Sequence, residues 1–375
     1  MTARADEPGE ALIEVARERP SAPLSPLRAR GHYSTVHLPD HWFILATSRE
    51  LRRRPLARTL MGTPLVLFRD AEGQAATLLD RCPHRNVPLS LGQVAADGCL
   101  ECPYHGWRFD GGGNCTRVPS LIGTVGDARA RQCASYPTIE QQGFIWVYST
   151  AGDMPGSRPH RFERMGERGY QTVRQRFDMQ ATMYSVIENA LDVPHTAFLH
   201  KGLFRGDSRG ITITAQITRR ADRVEAEYVG EPRPTGLMAR LLSPSGGLVS
   251  HFDRFLLPSI AQVEYRLGEE NHLLADTAMT PIDDFTTRLW GVVSFRTRFL
   301  SWLVRPFVKP VAMRVLKQDA LILARQTETI RTFGGEQFAS TEIDVLGKHI
   351  WRLLRAAERR DSSTPEEQSA VQLVV

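Results

Sequence analysis

Two short segments of the 375-residue chain each pair a cysteine with a histidine. Cys82 and His84 form a Cys-x-His pattern, and after seventeen intervening residues Cys102 and His105 form a Cys-x-x-His pattern. One thiolate and one imidazole from each segment could together hold a metal ion or cluster. The alternatives are tetrahedral zinc in a Cys₂His₂ site and a [2Fe–2S] cluster in which two histidines replace two cysteines on one iron. The tight Cys-x-His spacing favours the cluster, because zinc fingers bring their cysteines and histidines as separate pairs.

The other three cysteines have no place in this pattern; they are Cys99, Cys115 and Cys133. An odd total of five cysteines, in a chain whose N-terminus lacks the apolar core of an export signal, argues against structural disulfides. We therefore expect these three residues to be free thiols.

A second set of chemically active side chains lies in the segment SVIENALDVPHTAFLHKGLF, residues 185–204. Asn189, Asp192, His195 and His200 form an Asn-x-x-Asp-x-x-His-x-x-x-x-His pattern. Residues five apart are about 140° apart around an ideal helix, so an unbroken helix would not bring the two imidazoles together. Pro194 can end or restart the helix just before His195 and so allow them to converge.

The elements that must position the first set lie in residues 38–150. Short apolar runs alternate there with turns rich in Gly, Asp and Asn, which predicts a small antiparallel β domain. The polar segment 151–169, rich in Gly and Pro, is typical of a linker. Residues 1–37 are predicted to be a loosely attached lead-in, and residues 361–375 a frayed, flexible tail.

The second set belongs to a predicted α+β domain at residues 170–360. A helix is predicted at 180–200, followed by six strand-like runs and by helices at 299–331 and 343–358. Hydrophobic residues make up 42% of the chain and charged residues 24%, which excludes disordered and collagen-like classes. The net charge of +5 is small for this length and gives no reason to expect nucleic-acid binding.

The sequence CPHRNVPLSLG…CPYHGWRFDGGGNC, within residues 82–115, closely resembles the Rieske domain of non-haem iron oxygenases. Rieske subunits of respiratory complexes carry an extra cysteine in each loop, whereas this chain has Asn86 and Pro88 in the first loop and Tyr104 in the second. The resemblance covers nearly the whole chain. It implies a small antiparallel β Rieske domain followed by a helix-grip-like catalytic domain with an antiparallel sheet and flanking helices. It also implies that the cysteine–histidine pairs bind a [2Fe–2S] cluster.

The same resemblance implies a mononuclear Fe(II) held by two histidines and one carboxylate, a ligand set that leaves positions open for O₂. His195 and His200 would be the histidines. In this family the carboxylate comes from a distant downstream helix, often after Gln or Glu, and Asp319 follows Gln318. The helix face around Asp319 is predicted to be largely apolar. An acid on a face of this kind is costly unless it is paired or bound to metal. Glu328 is the second candidate.

Asp192 matches the family's bridging aspartate, which links a Rieske histidine of one subunit to an iron-ligand histidine of its neighbour. A carboxylate that accepts a hydrogen bond from an imidazole N–H also fixes the tautomer of that imidazole. Asn189 is expected to support the same helix or to lie beside the iron.

The family's chemistry is reductive activation of O₂ with electrons from a separate ferredoxin or ferredoxin reductase, and its oxygenase component is typically a homotrimer. The chain has no strand-linked G-x-G-x-x-G, so no bound flavin or NAD is expected. We predict a monooxygenase that hydroxylates or oxidatively demethylates a hydrophobic polycyclic, sterol-like substrate. One alternative is an aromatic O-demethylase or ring hydroxylase acting on a small aromatic acid. Another, from a different class, is a Rieske electron-transfer protein without an oxygenase site.

Residues 299–316 are the most apolar stretch, but three basic residues and two prolines interrupt it, so it is not expected to span a bilayer. It could be a helix packed on the sheet, or an apolar entrance with a basic rim for a membrane-derived substrate. A soluble, cytoplasmic protein is therefore expected, with peripheral membrane contact as a further option.

Overall fold

The structure is a computed structural model that describes residues 32–123, 129–200, 210, 212–230, 249–268, 271–297 and 301–374. Most of the predicted N-terminal lead-in, residues 1–31, lies outside the described residues. Among the described helices, none is long and apolar enough to cross a membrane.

The N-terminal domain contains short antiparallel strands arranged in three sheets with the orders β1-β11-β10, β2-β3-β4-β9 and β5-β6-β7-β8. The strands are β1 (Trp42–Thr47), β2 (Leu56–Leu60), β3 (Thr63–Arg69), β4 (Ala75–Leu79), β5 (Gln93–Val94), β6 (Leu100–Glu101), β7 (Arg108–Phe109), β8 (Cys115–Arg117), β9 (Ser135–Tyr136), β10 (Thr138–Gln141) and β11 (Phe144–Tyr148). Apolar residues that alternate with turns thus form a β domain, as the sequence predicts.

The second domain is built on an eight-stranded antiparallel sheet with the order β12-β18-β17-β16-β15-β14-β13-β19. Its strands are β12 (Gln171–Met179), β13 (Thr212–Arg219), β14 (Arg223–Val229), β15 (Val249–Leu256), β16 (Ile260–Leu267), β17 (Asn271–Asp283), β18 (Thr286–Arg296) and β19 (Glu367–Val374). The six strand-like runs of the sequence correspond to β13–β18. The first and last strands, at opposite edges of the sheet, were not predicted.

The prediction of a flexible tail at 361–375 is wrong for Glu367–Val374. These residues form β19, which pairs with β13 in register from Thr212↔Val374 to Arg219↔Glu367. The strand supplies hydrogen-bonding partners for an edge that would otherwise be open, and Leu373 packs into the hydrophobic core. A strand whose partner is distant in sequence gives little local signal.

Helices cover one face of this sheet: α1 (Met183–Ala190), α2 (His195–Leu199), α3 (Ser301–Thr332) and α4 (Gly347–Glu358). Thr182 caps α1, since its side chain accepts a hydrogen bond from the Ser185 amide at 3.2 Å. The helix predicted at 180–200 is interrupted between Ala190 and His195, where Pro194 precedes α2. The opposite face of the sheet packs against the N-terminal domain through a core that includes Trp290 and Trp146.

Candidate metal centres

The two cysteine–histidine loops have the same backbone geometry. In residues 82–87 and again in 102–107, the amide of the first residue donates to the carbonyl of the sixth, at 2.9 and 2.8 Å. The amide of the fifth residue donates back to the carbonyl of the first, at 2.8 and 3.0 Å. The fifth residues, Asn86 and Gly106, have φ values of 60° and 66°, a region that Asn and Gly tolerate best. Two matching turns therefore present two matching ligand pairs.

The thiols lie inside the domain and the imidazoles lie at its surface. Cys82 and Cys102 are buried in a hydrophobic cluster, whereas His105 is exposed. The rings of His84 and His105 are 4.6 Å apart, and His84 stacks on Trp107, which holds its ring in place. Nδ1 of His84 is buried and has no hydrogen-bond partner among the described residues.

These four side chains fit a cluster with one inner and one outer iron. Burial raises the pKa of the Cys82 thiol to about 11, and the adjacent Cys102 adds to this, although the amides of His84 and Arg85 donate to the sulfur and oppose it. Thiolates at this position therefore need a compensating cation such as iron. The buried, unpaired nitrogen of His84 is likewise a ligand atom without another partner. All five cysteines are free of disulfides, as expected for Cys99, Cys115 and Cys133.

Three further side chains converge between α2 and α3. Nε2 of His195 and Nε2 of His200 are 3.3 Å apart, and Oδ1 of Asp319 is 3.0 Å from the second and 3.7 Å from the first. Ligand atoms that occupy neighbouring octahedral positions about 2.1 Å from a metal stand about 3 Å apart. The three atoms therefore form one face of such a site and leave the opposite face to other ligands.

The electrostatics of this triad also suit a cation. Oδ1 of Asp319 is buried and makes no hydrogen bond of normal geometry. Its contacts with the two histidines outweigh burial and lower the pKa of the Asp319 carboxyl. Burial lowers the pKa of His195, but contacts with Asp192 and Asp319 outweigh it and raise that pKa to about 9. A divalent ion can take the place of the proton that His195 would otherwise hold.

Two acceptors orient the histidines so that Nε2 points inward. Nδ1 of His195 lies 2.5 Å from the carbonyl oxygen of Asp192, and Nδ1 of His200 lies 2.9 Å from Oε1 of Gln318. An acceptor at Nδ1 places the proton there and leaves Nε2 as the metal ligand. The sequence alone does not predict this role of Gln318, although Gln318 directly precedes Asp319.

The other predicted residues have distinct positions. The side chain of Glu328 is 66% exposed and pairs with Arg325 at 2.8 Å, so the structure does not bring this second candidate to the triad. Oδ2 of Asp192 accepts from the amide of His195 at 3.3 Å and lies 3.4 Å from its Nδ1. Asn189 lies beside Asp192 on the wall of a groove.

This Asp192 groove has a volume of about 810 Å³ and is lined by α1, α2, α3 and the segment 337–347. Its rim carries the exposed apolar side chains of Phe198, Phe338 and Ile343. Glu188 and Asp344 join Asp192 on its wall. The groove is therefore an acidic depression with an apolar rim that leads to His195.

We expect Gln318→Leu to weaken iron binding by about 10- to 100-fold, because His200 would lose the acceptor that fixes its tautomer. Titration of the apo-protein with Fe(II) against a chelator measures this affinity. Gln326→Leu is the matched control, since it makes the same change on α3 outside this hydrogen bond. Equal affinities of the wild type and the Gln318 variant would contradict the orienting role.

Comparisons with known proteins agree with this arrangement. A sequence model of the Rieske [2Fe–2S] domain matches residues 41–131, and a model of the vanillate O-demethylase oxygenase C-terminal domain matches residues 179–360. The oxygenase component of dicamba O-demethylase from Stenotrophomonas maltophilia is 30% identical over 291 residues, which cover 76% of this chain and 74% of that protein. The chain belongs to the Rieske non-haem iron oxygenases. It is thus an O₂-using oxidoreductase, and the alternative of an electron carrier without an oxygenase site is wrong.

Other relatives widen the family context. Chlorophyllide a oxygenase from Chlamydomonas reinhardtii is 30% identical over 84% of this chain, but the match covers 48% of that protein. The match to the Protein TIC 55 of Pisum sativum, at 27% identity, covers 78% of this chain and 52% of that protein. The chain therefore spans about half the length of these two chloroplast relatives. None of these names refers to a sterol.

Solved structures confirm the predicted fold. Dicamba monooxygenase bound to dicamba superimposes with a TM-score of 0.70 at 24% identity, covering 88% of this chain and all of that one. The Pseudomonas putida CBB5 protein NdmB superimposes with a TM-score of 0.72 at 19% identity, covering 92% of this chain and all of that one. As a Rieske oxygenase the chain uses a [2Fe–2S] cluster and a mononuclear iron at His195, His200 and Asp319. As an oxygenase component it needs a separate reductase or ferredoxin.

Proposed function

We propose that this chain is the oxygenase component of a monooxygenase that removes a methyl group from, or hydroxylates, a small aromatic compound. The main support is that the sequence model of the vanillate O-demethylase C-terminal domain matches residues 179–360, a range that includes all three converging iron ligands. The similarity to dicamba O-demethylase over 76% of the chain points to the same substrate class. This reading replaces the sterol-like substrate as the first choice, because no reported relative supports a sterol.

For an aryl methyl ether the overall reaction would consume O₂, two electrons and two protons, and would release a phenol, formaldehyde and water. The mononuclear iron, when bound, supplies the site at which O₂ is activated. His195, His200 and Asp319 would hold it, since their ligand atoms converge. Gln318 and the backbone carbonyl of Asp192 keep both imidazoles in the tautomer that binds metal.

We also propose that Cys82 and Cys102 bind the inner iron of the Rieske cluster, and His84 and His105 the outer iron. The proposal is supported by the burial of the thiols and the surface position of the imidazoles. Electrons would then leave the cluster on the histidine side, where the protein covering is thinnest.

Asp192 is proposed to bridge a Rieske histidine of a neighbouring copy of the chain to the iron ligand His195, so that these electrons cross between the subunits at this residue. The Rieske tip, defined as residues 81–85, Leu91 and residues 104–105, carries exposed apolar side chains and the exposed cations Arg81 and Arg85. The cations of the tip complement the acidic wall of the Asp192 groove, and its apolar side chains complement the apolar rim of that groove. We propose that one copy's tip seats in the next copy's groove within a homotrimer, with Asn189 supporting the groove wall.

The substrate proposal is tested by a panel given to the reconstituted enzyme with a ferredoxin and its reductase. Methoxybenzoates, chlorinated methoxybenzoates and sterols are compared for binding under anaerobic conditions, and then for formaldehyde release and O₂ uptake. Formaldehyde in a one-to-one ratio with phenol from a methoxybenzoate is the expected result. Binding and oxidation of a sterol without turnover of any aryl ether would contradict the proposal.

A further inference from the structure

The first third of α3 has an apolar side that is exposed. Trp302, Leu303 and Phe307 are 60%, 50% and 58% exposed, whereas Val308 is buried against the body of the domain. At 100° per residue, these three residues and the two prolines at 306 and 310 fall within an arc of about 140°, opposite Val308. These five residues are called the α3 apolar face.

The charged residues of α3 near this face are all of one sign. Arg305 and Lys309 flank it, Arg314 and Lys317 follow along the helix, and all four are exposed. The sequence contains no Asp or Glu from residue 301 to residue 318. A helix with aromatic and aliphatic residues on one side and cations around them is typical of binding in the plane of an anionic membrane surface.

The prolines limit how deep such binding can be. Pro306 and Pro310 lack the amide hydrogens that would pair with the carbonyls one turn earlier, at residues 302 and 306. Those carbonyls need water or another donor, which the hydrocarbon core of a bilayer does not supply. The geometry therefore suits the hydrated headgroup region.

We propose that the α3 apolar face and its flanking cations dock this enzyme peripherally on an anionic lipid bilayer. The size of the face favours lipid over a second copy of the chain. Three partly exposed side chains of this kind offer on the order of 100 Å² each, well below the roughly 800 Å² per partner of a stable protein interface. The proposal does not depend on the identity of the substrate.

Because α3 also carries Asp319, docking would place the iron-bearing helix at the membrane surface. Lys309 and Asp319 are ten residues apart, a separation of about 15 Å along a helix. The enzyme would then meet substrates that partition into the bilayer at a higher local concentration than those that remain in water.

The test is co-sedimentation of the holoenzyme with vesicles of equimolar phosphatidylcholine and phosphatidylglycerol, compared with vesicles of phosphatidylcholine alone. We expect binding to the anionic vesicles that weakens as salt is raised. The double variant Arg305→Glu/Lys309→Glu should bind at least about tenfold more weakly, since each cation near such a surface contributes about fivefold. Trp302→Ala/Phe307→Ala should also bind about tenfold more weakly, through lost apolar contact.

The matched control is Arg53→Glu/Arg54→Glu, which makes the same charge change at exposed positions of the Rieske domain. It should keep most of the binding, and all variants should keep their iron content and cluster absorbance. Wild-type protein that ignores anionic vesicles, or a control that loses as much binding as the α3 variant, overturns the proposal. So does a change of oligomeric mass in Trp302→Ala/Phe307→Ala, because it would show that a second copy covers this face.

Discussion

Asp319→Ala is expected to remove the mononuclear iron and to lower product formation by more than about 100-fold, while the absorbance of the [2Fe–2S] cluster stays unchanged. Loss of a hydrogen-bonding partner of a metal ligand already costs 10- to 100-fold, and this change deletes a ligand. Only the two histidines, 3.3 Å apart, would remain. The measurement is iron per chain together with single-turnover product yield.

Two further variants make this result specific. Glu328→Gln should keep iron and activity, because its exposed side chain pairs with Arg325 and does not reach the triad. Cys82→Ser should show the opposite pattern, with loss of the cluster absorbance and retention of the mononuclear iron. Full iron content and normal turnover in Asp319→Ala would show that another acid is the ligand.

Asp192→Asn is expected to slow electron delivery to the mononuclear iron by about 100-fold while both metal centres stay in place. The backbone carbonyl that orients His195 is unchanged, so the iron site should survive. The neutral amide lacks the charge that would hold two imidazoles from adjacent subunits. In a single-turnover experiment with prereduced enzyme, substrate and O₂, cluster reoxidation and product formation should both stall.

Asp344→Asn is the matched control for this variant. Asp344 lies on the wall of the same groove, but its carboxylate accepts from the Thr341 amide at 2.7 Å, away from the iron ligands. We expect the [2Fe–2S] cluster of this variant to be reoxidised at nearly the wild-type rate. A wild-type rate in Asp192→Asn would refute the bridging role, whereas loss of iron would assign Asp192 to the support of His195 instead.

The parts of the site that could be predicted are those encoded in residue type and short spacing. The two cysteine–histidine pairs and the break at Pro194 follow from local pattern, and Asp319 follows from family context. The cysteine–histidine pairs and the break at Pro194 each depend on residues within one turn or loop. The same holds for strands β13–β18, because the alternation of apolar and polar residues lies within each strand.

The parts that could not be predicted depend on contacts between distant residues. Gln318 orients His200 across 118 residues of sequence, and its position before Asp319 does not by itself indicate which side chain it contacts. Trp107 supports His84 only because the two loops fold against each other. The strand at Glu367–Val374 exists because β13 leaves an edge for it to pair with.

The separation of the iron ligands along the chain has a consequence for folding. His195 and His200 are close in sequence, but Asp319 lies on a helix much further along the chain. Its neighbour Gln318, which contacts His200, is 118 residues away from that histidine. Closing a loop of this length costs roughly 4 kcal/mol of chain entropy. An ion bound by all three side chains favours the closed chain over the unfolded ensemble and offsets part of that cost. Iron supply in the cell would therefore help to decide how much of the protein persists in its native state and how much is left to chaperones and proteases.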